Sequence, residues 1–178
     1  DCTPTYADNG ADCDDDDLAT TDDVCDGAGG CAGTVTCVGT YTVEGEEDLA
    51  LIVECNHITG SLEIQNTALT TLELPNLTSV GEALVINGNE SLIHVDLSHL
   101  QNITGSLDIV DTALTTLELP NLTSAGDVAI ASNGALTSLD IQNLTTISGN
   151  WYVEYNAVLS SIDFSSLQSG NLSINHNA

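Results

Sequence analysis

The stretch that begins Gly60-Ser-Leu-Glu-Ile and runs on through Thr-Ala-Leu-Thr-Thr-Leu-Glu-Leu-Pro-Asn-Leu-Thr-Ser recurs almost verbatim from Gly105, a period of 45 residues. Repetition at this length belongs to architectures in which each unit packs only on its neighbours, so it restricts the fold before any single residue is considered. Each period divides in two. Glycines that open a coil fall at Gly60, Gly81, Gly105, Gly126, Gly149 and Gly170, spaced 21 to 24 residues apart.

Within a coil three short apolar pieces return in order. The first is Leu62/Ile64, Leu84/Ile86, Leu107/Ile109, Val128/Ile130, Trp151/Val153 and Leu172/Ile174. The second is Leu69/Leu72/Leu74, Leu92/Val95/Leu97, Leu114/Leu117/Leu119, Leu136/Leu139/Ile141 and Leu159/Ile162/Phe164. The third is Leu77/Val80, Leu100/Ile103, Leu122/Ala125 and Leu144/Ile147. Alternation at period two in pieces this short is strand patterning, and no window has the spacing of a long amphipathic helix. Three inward-facing strands per coil predict an all-β, three-sided parallel β-solenoid of about six coils, with equivalent residues stacked ~4.8 Å apart. One polar column follows. Three residues before the first Leu of the second piece stand Asn66, Asn89, Asp111, Asn133 and Asn156, with Asn177 where the next would fall. Side-chain amides repeated at one corner can serve backbone groups that the turn leaves unpaired, which predicts an asparagine ladder; the competing reading is that Asn simply suits turns.

The charge is one-sided. Lys and Arg number 0 against 27 Asp and Glu, a formal net charge of −27. Nucleic acid is excluded as a partner, because phosphate binding draws on Lys and Arg. An anionic membrane surface is excluded for the same reason, and no stretch has the ~20 apolar residues of a span. Carboxylates without basic partners must be relieved by solvent, salt or bound cations.

All six cysteines, Cys2, Cys13, Cys25, Cys31, Cys37 and Cys55, precede residue 56. An even number in a short Gly- and Asp-rich segment reads as a disulfide framework made in an oxidising compartment; zinc is the competing reading, without a close Cys-x-x-Cys pair to support it. The division expected is an acidic Cys-rich head over 1–38 and a solenoid over 39–178, placed outside the cell or on its surface. Six sequons, at Asn76, Asn89, Asn102, Asn121, Asn143 and Asn171, are candidate glycan acceptors. In the head, Asp12, Asp14, Asp16 and Asp23 match positions 1, 3, 5 and 12 of a calcium loop, with Asp17 where glycine is wanted. Oxygen-seeking Ca²⁺ fits such a cluster; the alternative is a solvated acidic loop.

From Cys55 onward the chain resembles the receptor L domain family, the leucine-rich-repeat-like β-helices of growth-factor-receptor ectodomains and fungal cell-wall proteins. The residues that carry the resemblance are Cys55-Asn-His-Ile-Thr-Gly-Ser-Leu-Glu-Ile at the first coil and the Leu-Thr-Ser-Val-Gly and Ile-Ser-Gly-Asn junctions between coils. It implies a right-handed β-helix used for surface structure, adhesion or ligand recognition, and it implies that Cys55 pairs with Cys37. The absence of basic residues departs from the receptors. The head is similar to short Cys- and Asp-rich modules of secreted bacterial surface proteins.

Catalysis finds no support. The acids Glu63, Glu73, Asp108 and Glu118 are repeat decoration, and His57, His94, His99 and His176 occupy unrelated repeat positions with no nucleophile assigned to them. A hydroxyl-rich column at Thr71, Thr116, Ser138 and Ser161, interrupted by His94, raises ice binding as a lesser alternative. The last coil opens Gly170-Asn-Leu-Ser-Ile and stops within the pattern at Ala178. Solenoid ends carry unpaired strand edges. The expectation is therefore a structural surface-fibre protein whose end stacks head-to-tail on a copy of itself or on an adjoining segment, coated with glycans; a surface adhesin or an L domain that binds carbohydrate or protein is the alternative.

Overall fold

A computed structural model describes residues 20–25, 31–163 and 165–178. It is a parallel β-solenoid. The first face stacks β3 (Tyr41–Val43), β5 (Leu62–Gln65), β8 (Leu84–Asn89), β11 (Leu107–Thr112), β14 (Val128–Ala131), the second half of β16 (Thr146–Glu154) and β18 (Ser169–Asn175). The register is that of the first apolar piece: Tyr41, Leu62, Leu84, Leu107, Val128, Trp151 and Leu172 lie in one column. These seven rungs delimit six turns of chain.

The second face holds β6 (Thr71–Glu73) beside β9 (His94–Asp96), then β12 (Thr116–Glu118), β15 (Ser138–Asp140) and β17 (Ser161–Ile162). Phe164, the last apolar residue expected on this face, lies outside the described residues. The third face holds β2 (Cys31–Cys37), β4 (His57–Ile58), β7 (Ser79–Val80), β10 (Asn102–Ile103), β13 (Ser124–Ala125) and the first half of β16. Because β16 runs through the corner at Gly149 without a break, the first and third faces form one continuous sheet there.

Inward residues make a single leucine- and isoleucine-rich core, with Leu62, Ile64, Leu72, Leu84, Leu97, Leu107, Leu117 and Leu139 among those almost fully buried. Each such side chain contributes roughly 1.5–3 kcal/mol of transfer free energy. Trp151 takes a position that Leu62, Leu84, Leu107 and Val128 fill in the four coils before it and is as buried as they are.

The N-terminal end is finished differently. Strand β1 (Thr20–Cys25) pairs antiparallel with β2 and covers its outer edge. In the first coil a single helical turn, α1 (Glu46–Leu49), stands in the chain where later coils carry their second strand. β2, from the Cys-rich segment, is thus already a rung of the third face. Cys37 and Cys55 form a disulfide across this first coil, as the family resemblance implied. Among the described residues no helix is long and apolar enough to cross a membrane.

Candidate functional site

The corner that follows the first face carries a polar ladder that contains Asn89, Asn133, Asn156 and Asn177 as expected, with Thr67 and Thr112 in place of Asn66 and Asp111. Asn89, Asn133 and Asn156 are each 0% exposed. Each amide reaches back to the coil before it. The Oδ1 of Asn89 accepts from the backbone N–H of Thr67 at 2.9 Å and from its hydroxyl at 2.8 Å, while Nδ2 donates to the Ile64 carbonyl at 2.8 Å. Asn133 does the same to Thr112 and Ile109, Asn156 to the N–H of Asn133 and the carbonyl of Ile130, and Asn177 to the N–H of Asn156 and the carbonyl of Val153. The ladder is therefore Thr67, Asn89, Thr112, Asn133, Asn156 and Asn177.

Asn66 and Asp111, both expected in it, are not members. They belong to the preceding column, Asn66, Gly88, Asp111, Ser132, Tyr155 and His176, in which every φ lies between 52° and 69°. This left-handed residue breaks the strand's alternation. Leu62 and Ile64 point inward, and strict period two would send residue 66 inward as well; the positive φ shifts the phase by one, so Thr67 enters the core instead. Asn and Asp tolerate this conformation better than most residues, which is why they stand there.

A second set of amides lines the corner between the second and third faces. The Nδ2 of Asn76 donates to the Val53 carbonyl at 3.1 Å, that of Asn121 to Ser98 at 2.7 Å, and that of Asn143 to Pro120 at 2.6 Å. Two residues on, the hydroxyls of Thr78, Thr123 and Thr145 donate to the carbonyls of Asn56, Gln101 and Thr123. In the Asn-Leu-Thr triplets, read above as glycan acceptors, the amide and hydroxyl thus fasten consecutive coils while the leucine enters the core. Asn89, the sequon residue of the first ladder, is sealed from solvent and cannot carry a glycan in the folded chain. Asn102 and Asn171 are exposed; the Oδ1 of Asn102 accepts from the Ser124 hydroxyl, and the Nδ2 of Asn171 lies 3.5 Å from the Oδ1 of Asn150.

The third corner is glycine. A Cβ at Gly60, Gly105 or Gly126 would come within 2.5–2.8 Å of the backbone of the coil below. No side chain fits at that separation.

The flat faces hold the remaining titratable groups. On the second face Glu73 stacks beside Asp96 and Glu118 beside Asp140, with Thr71 beside His94, and Ser138 between Thr116 and Ser161. The Ser98 backbone N–H, its hydroxyl, and the nearby His94 and His99 hold the Asp96 carboxyl below its ordinary range. Asp163 is lowered by the Ser165 backbone N–H and hydroxyl. Glu63 and Asp108 are separated by Val85 in their column and do not meet. Two histidines do contact hydroxyls, contrary to expectation: the Nδ1 of His99 lies 3.5 Å from the Ser98 Oγ, and the Nδ1 of His57 lies 2.8 Å from the Ser79 Oγ and 3.1 Å from the Thr78 Oγ1. Among the described residues no carboxylate is bonded to the His57 ring and no pocket forms beside it. Among the described residues no three His, Cys, Asp or Glu side chains converge as metal ligands. The calcium-loop residues Asp12, Asp14 and Asp16 lie outside the described residues, as do Cys2 and Cys13; Asp23, Cys25 and Cys31 are placed only as strand backbone, with Cys25 opposite Cys31.

The C-terminal edge is where the regularity stops. Leu172 and Ile174 occupy the same columns as Trp151 and Val153, yet they are 44% and 42% exposed, against 1% and 0% one rung earlier. Strand β18 is held from below by the Glu154 carboxylate, which accepts from Asn175 Nδ2 and Ser173 Oγ at 2.9 Å each. Tyr155 and His176 stack at 4.6 Å on the outside of the corner. No family model, curated protein or solved structure matches this chain.

Proposed function

We propose that this chain is a non-enzymatic extracellular structural protein, a rigid solenoid segment of a surface fibre that is continued at its C-terminal edge by a further coil. The coil comes from a neighbouring copy or from an adjoining segment. The observation that carries this reading is the half-exposed pair Leu172 and Ile174, whose in-register counterparts are buried in the five coils beneath them. One more rung laid on β18 would bury both and pair an edge that is otherwise an open template.

Other features agree. The Cys37–Cys55 disulfide favours an oxidising environment. The acidic and hydroxylated side chains sit in repeat columns on flat faces, which suits a surface coat better than a reaction centre. Ca²⁺ on the acidic head, through Asp12, Asp14, Asp16 and Asp23, would relieve part of the charge of −27, and the exposed sequon residues Asn102, Asn121, Asn143 and Asn171 would carry glycans.

Sedimentation velocity and electron microscopy of the purified chain, with and without a calcium chelator, test the reading. Concentration-dependent end-to-end association that Leu172→Asp abolishes is expected. Single chains at every concentration in both conditions would remove self-assembly through this edge.

A further inference from the structure

The second face is not one sheet. β6 pairs with β9, and β12, β15 and β17 pair in turn, but β9 and β12 do not pair. The other two faces run through the same step unbroken. β8 lies in register with β11 from Leu84 opposite Leu107 to Asn89 opposite Thr112, and β7 with β10 from Ser79 opposite Asn102 to Val80 opposite Ile103.

Every other step from β6 to β17 opens with the same backbone bond. The N–H of Ile93 donates to the Thr70 carbonyl at 3.0 Å, that of Thr137 to Thr115 at 2.9 Å, and that of Ser160 to Thr137 at 3.3 Å. Two of these steps also close with one: the Leu74 N–H donates to the Asp96 carbonyl at 3.0 Å and the Leu119 N–H to Asp140 at 2.9 Å. Between β9 and β12 the counterparts would run from the Thr115 N–H to the Ile93 carbonyl and from the Leu97 N–H to the Glu118 carbonyl. Among the described residues neither bond is made. β9 also sits further out, with Val95 half-buried where Leu72 and Leu117 are fully buried, and with Ile93 exposed.

Corner length accounts for the break. Between the ladder residue and the next leucine stands one residue in Thr67-Ala-Leu69 and Thr112-Ala-Leu114, and two in Asn89-Glu-Ser-Leu92, Asn133-Gly-Ala-Leu136 and Asn156-Ala-Val-Leu159. Because the ladder fastens one end of every corner, the longer corner gives its strand slack and the shorter one holds it in. A slack strand can reach the strand before it. A taut strand laid on a slack one cannot, and that order occurs only where β12 follows β9. The step is left with a buried residue, Leu97, whose N–H has no backbone acceptor, so its closed form is held less firmly than its neighbours.

We propose that this seam is a hinge, dividing the solenoid into two stiff blocks that flex by parting β9 from β12 while the first and third faces stay paired. It fixes the place at which each segment bends, whatever its ends contact.

Amide exchange followed by NMR on the full chain is the first test. Leu97 and Thr115 are expected to exchange at least about tenfold faster than their bonded counterparts Leu74, Leu119 and Thr137. Nitroxide pairs are the second. Thr71→Cys with Thr116→Cys spans the seam, while Thr116→Cys with Ser161→Cys spans the same number of rungs in continuous sheet. The first pair should give the broader distance distribution. Inserting a glycine between Ala113 and Leu114 lengthens the taut corner and should bring both readouts to those of the continuous sheet; deleting Ser91 equalises the two corners from the other side, should the insertion not fold. Exchange at Leu97 and Thr115 as slow as at the bonded amides overturns the seam. Fast exchange with equal widths for the two pairs overturns the hinge, and readouts unmoved by either corner change overturn its assigned cause.

Discussion

Replacing Asn133 by alanine isolates the contribution of one ladder amide. The side chain is 0% exposed, and its removal withdraws an acceptor from the Thr112 N–H and hydroxyl and a donor from the Ile109 carbonyl. Water has no access to replace it. At about 1–3 kcal/mol for each of the three buried polar groups left without its partner, the loss comes to roughly 3–9 kcal/mol, a large share of the ~5–15 kcal/mol that holds an ordinary domain together. Trp151, the sole tryptophan, lies buried on the next rung and supplies the signal for urea unfolding by fluorescence. With a slope of about 1–3 kcal/mol/M, the midpoint should fall by at least about 1 M. The control is Asp111→Gly. Asp111 is exposed with φ 52°, one residue before the ladder, so glycine should leave stability unchanged or raise it by about 0.5–1 kcal/mol. A loss below about 1 kcal/mol for Asn133→Ala, or an equal loss for Asp111→Gly, refutes the assigned register.

Three further outcomes follow from other parts of the molecule. Gly105→Ala would set a methyl 2.8 Å from the Glu82 backbone and should cost about 1–3 kcal/mol by denaturant titration, whereas Gly134→Ala, with nothing within 4 Å, should be neutral or slightly stabilising. Removing the Cys37–Cys55 disulfide, which joins residues 18 apart, by the double change to serine should cost about 3 kcal/mol and lower the melting temperature. Asp96, Glu154 and Asp163 have folded pKa values below their ordinary ones, so their contribution is complete above about pH 5 and is lost as pH falls below about 4. In high salt, where repulsion among the other carboxylates is screened, the melting temperature should drop over that window, and Asp96→Asn with Asp163→Asn should flatten the drop.

The three apolar pieces were legible because each inward position repeats in a strand too short to lose phase. Leu62 over Leu84, Leu72 over Val95 and Ile58 over Val80 all stack as their spacing indicates. The ladder was legible at Asn89, Asn133, Asn156 and Asn177 and off by one residue at Thr67 and Thr112. Counting back from the second apolar piece assumes corners of equal length, yet the corner is Thr67-Ala-Leu69 in one coil and Asn89-Glu-Ser-Leu92 in the next. Counting forward from the strand gives the same offset every time: Leu62, Ile64, Thr67 and Leu84, Ile86, Asn89. The first coil, though inside the expected solenoid, lacks the three-piece signature, because Tyr41-Thr-Val43 is a single short alternation and α1 breaks the pattern at Glu46. The structural use of the Asn-Leu-Thr triplets was not legible because an amide and a hydroxyl two residues apart can serve modification by an enzyme or attachment to the coil below, and only geometry shows the attachment. That Ser79 faces His57 follows from their sharing a column on the third face, a pairing that required the register of a two-residue strand.

The amides of the ladder all point one way, toward the coil already laid down. On a ribosome, each turn would emerge with its bend unfinished and be locked only when the following turn arrives, so maturation should trail synthesis by one lap. A force applied at Ala178 meets the same order in reverse. It should strip the chain lap by lap, each release freeing the fastening of the one below, until it reaches the turn that Cys37 and Cys55 hold covalently.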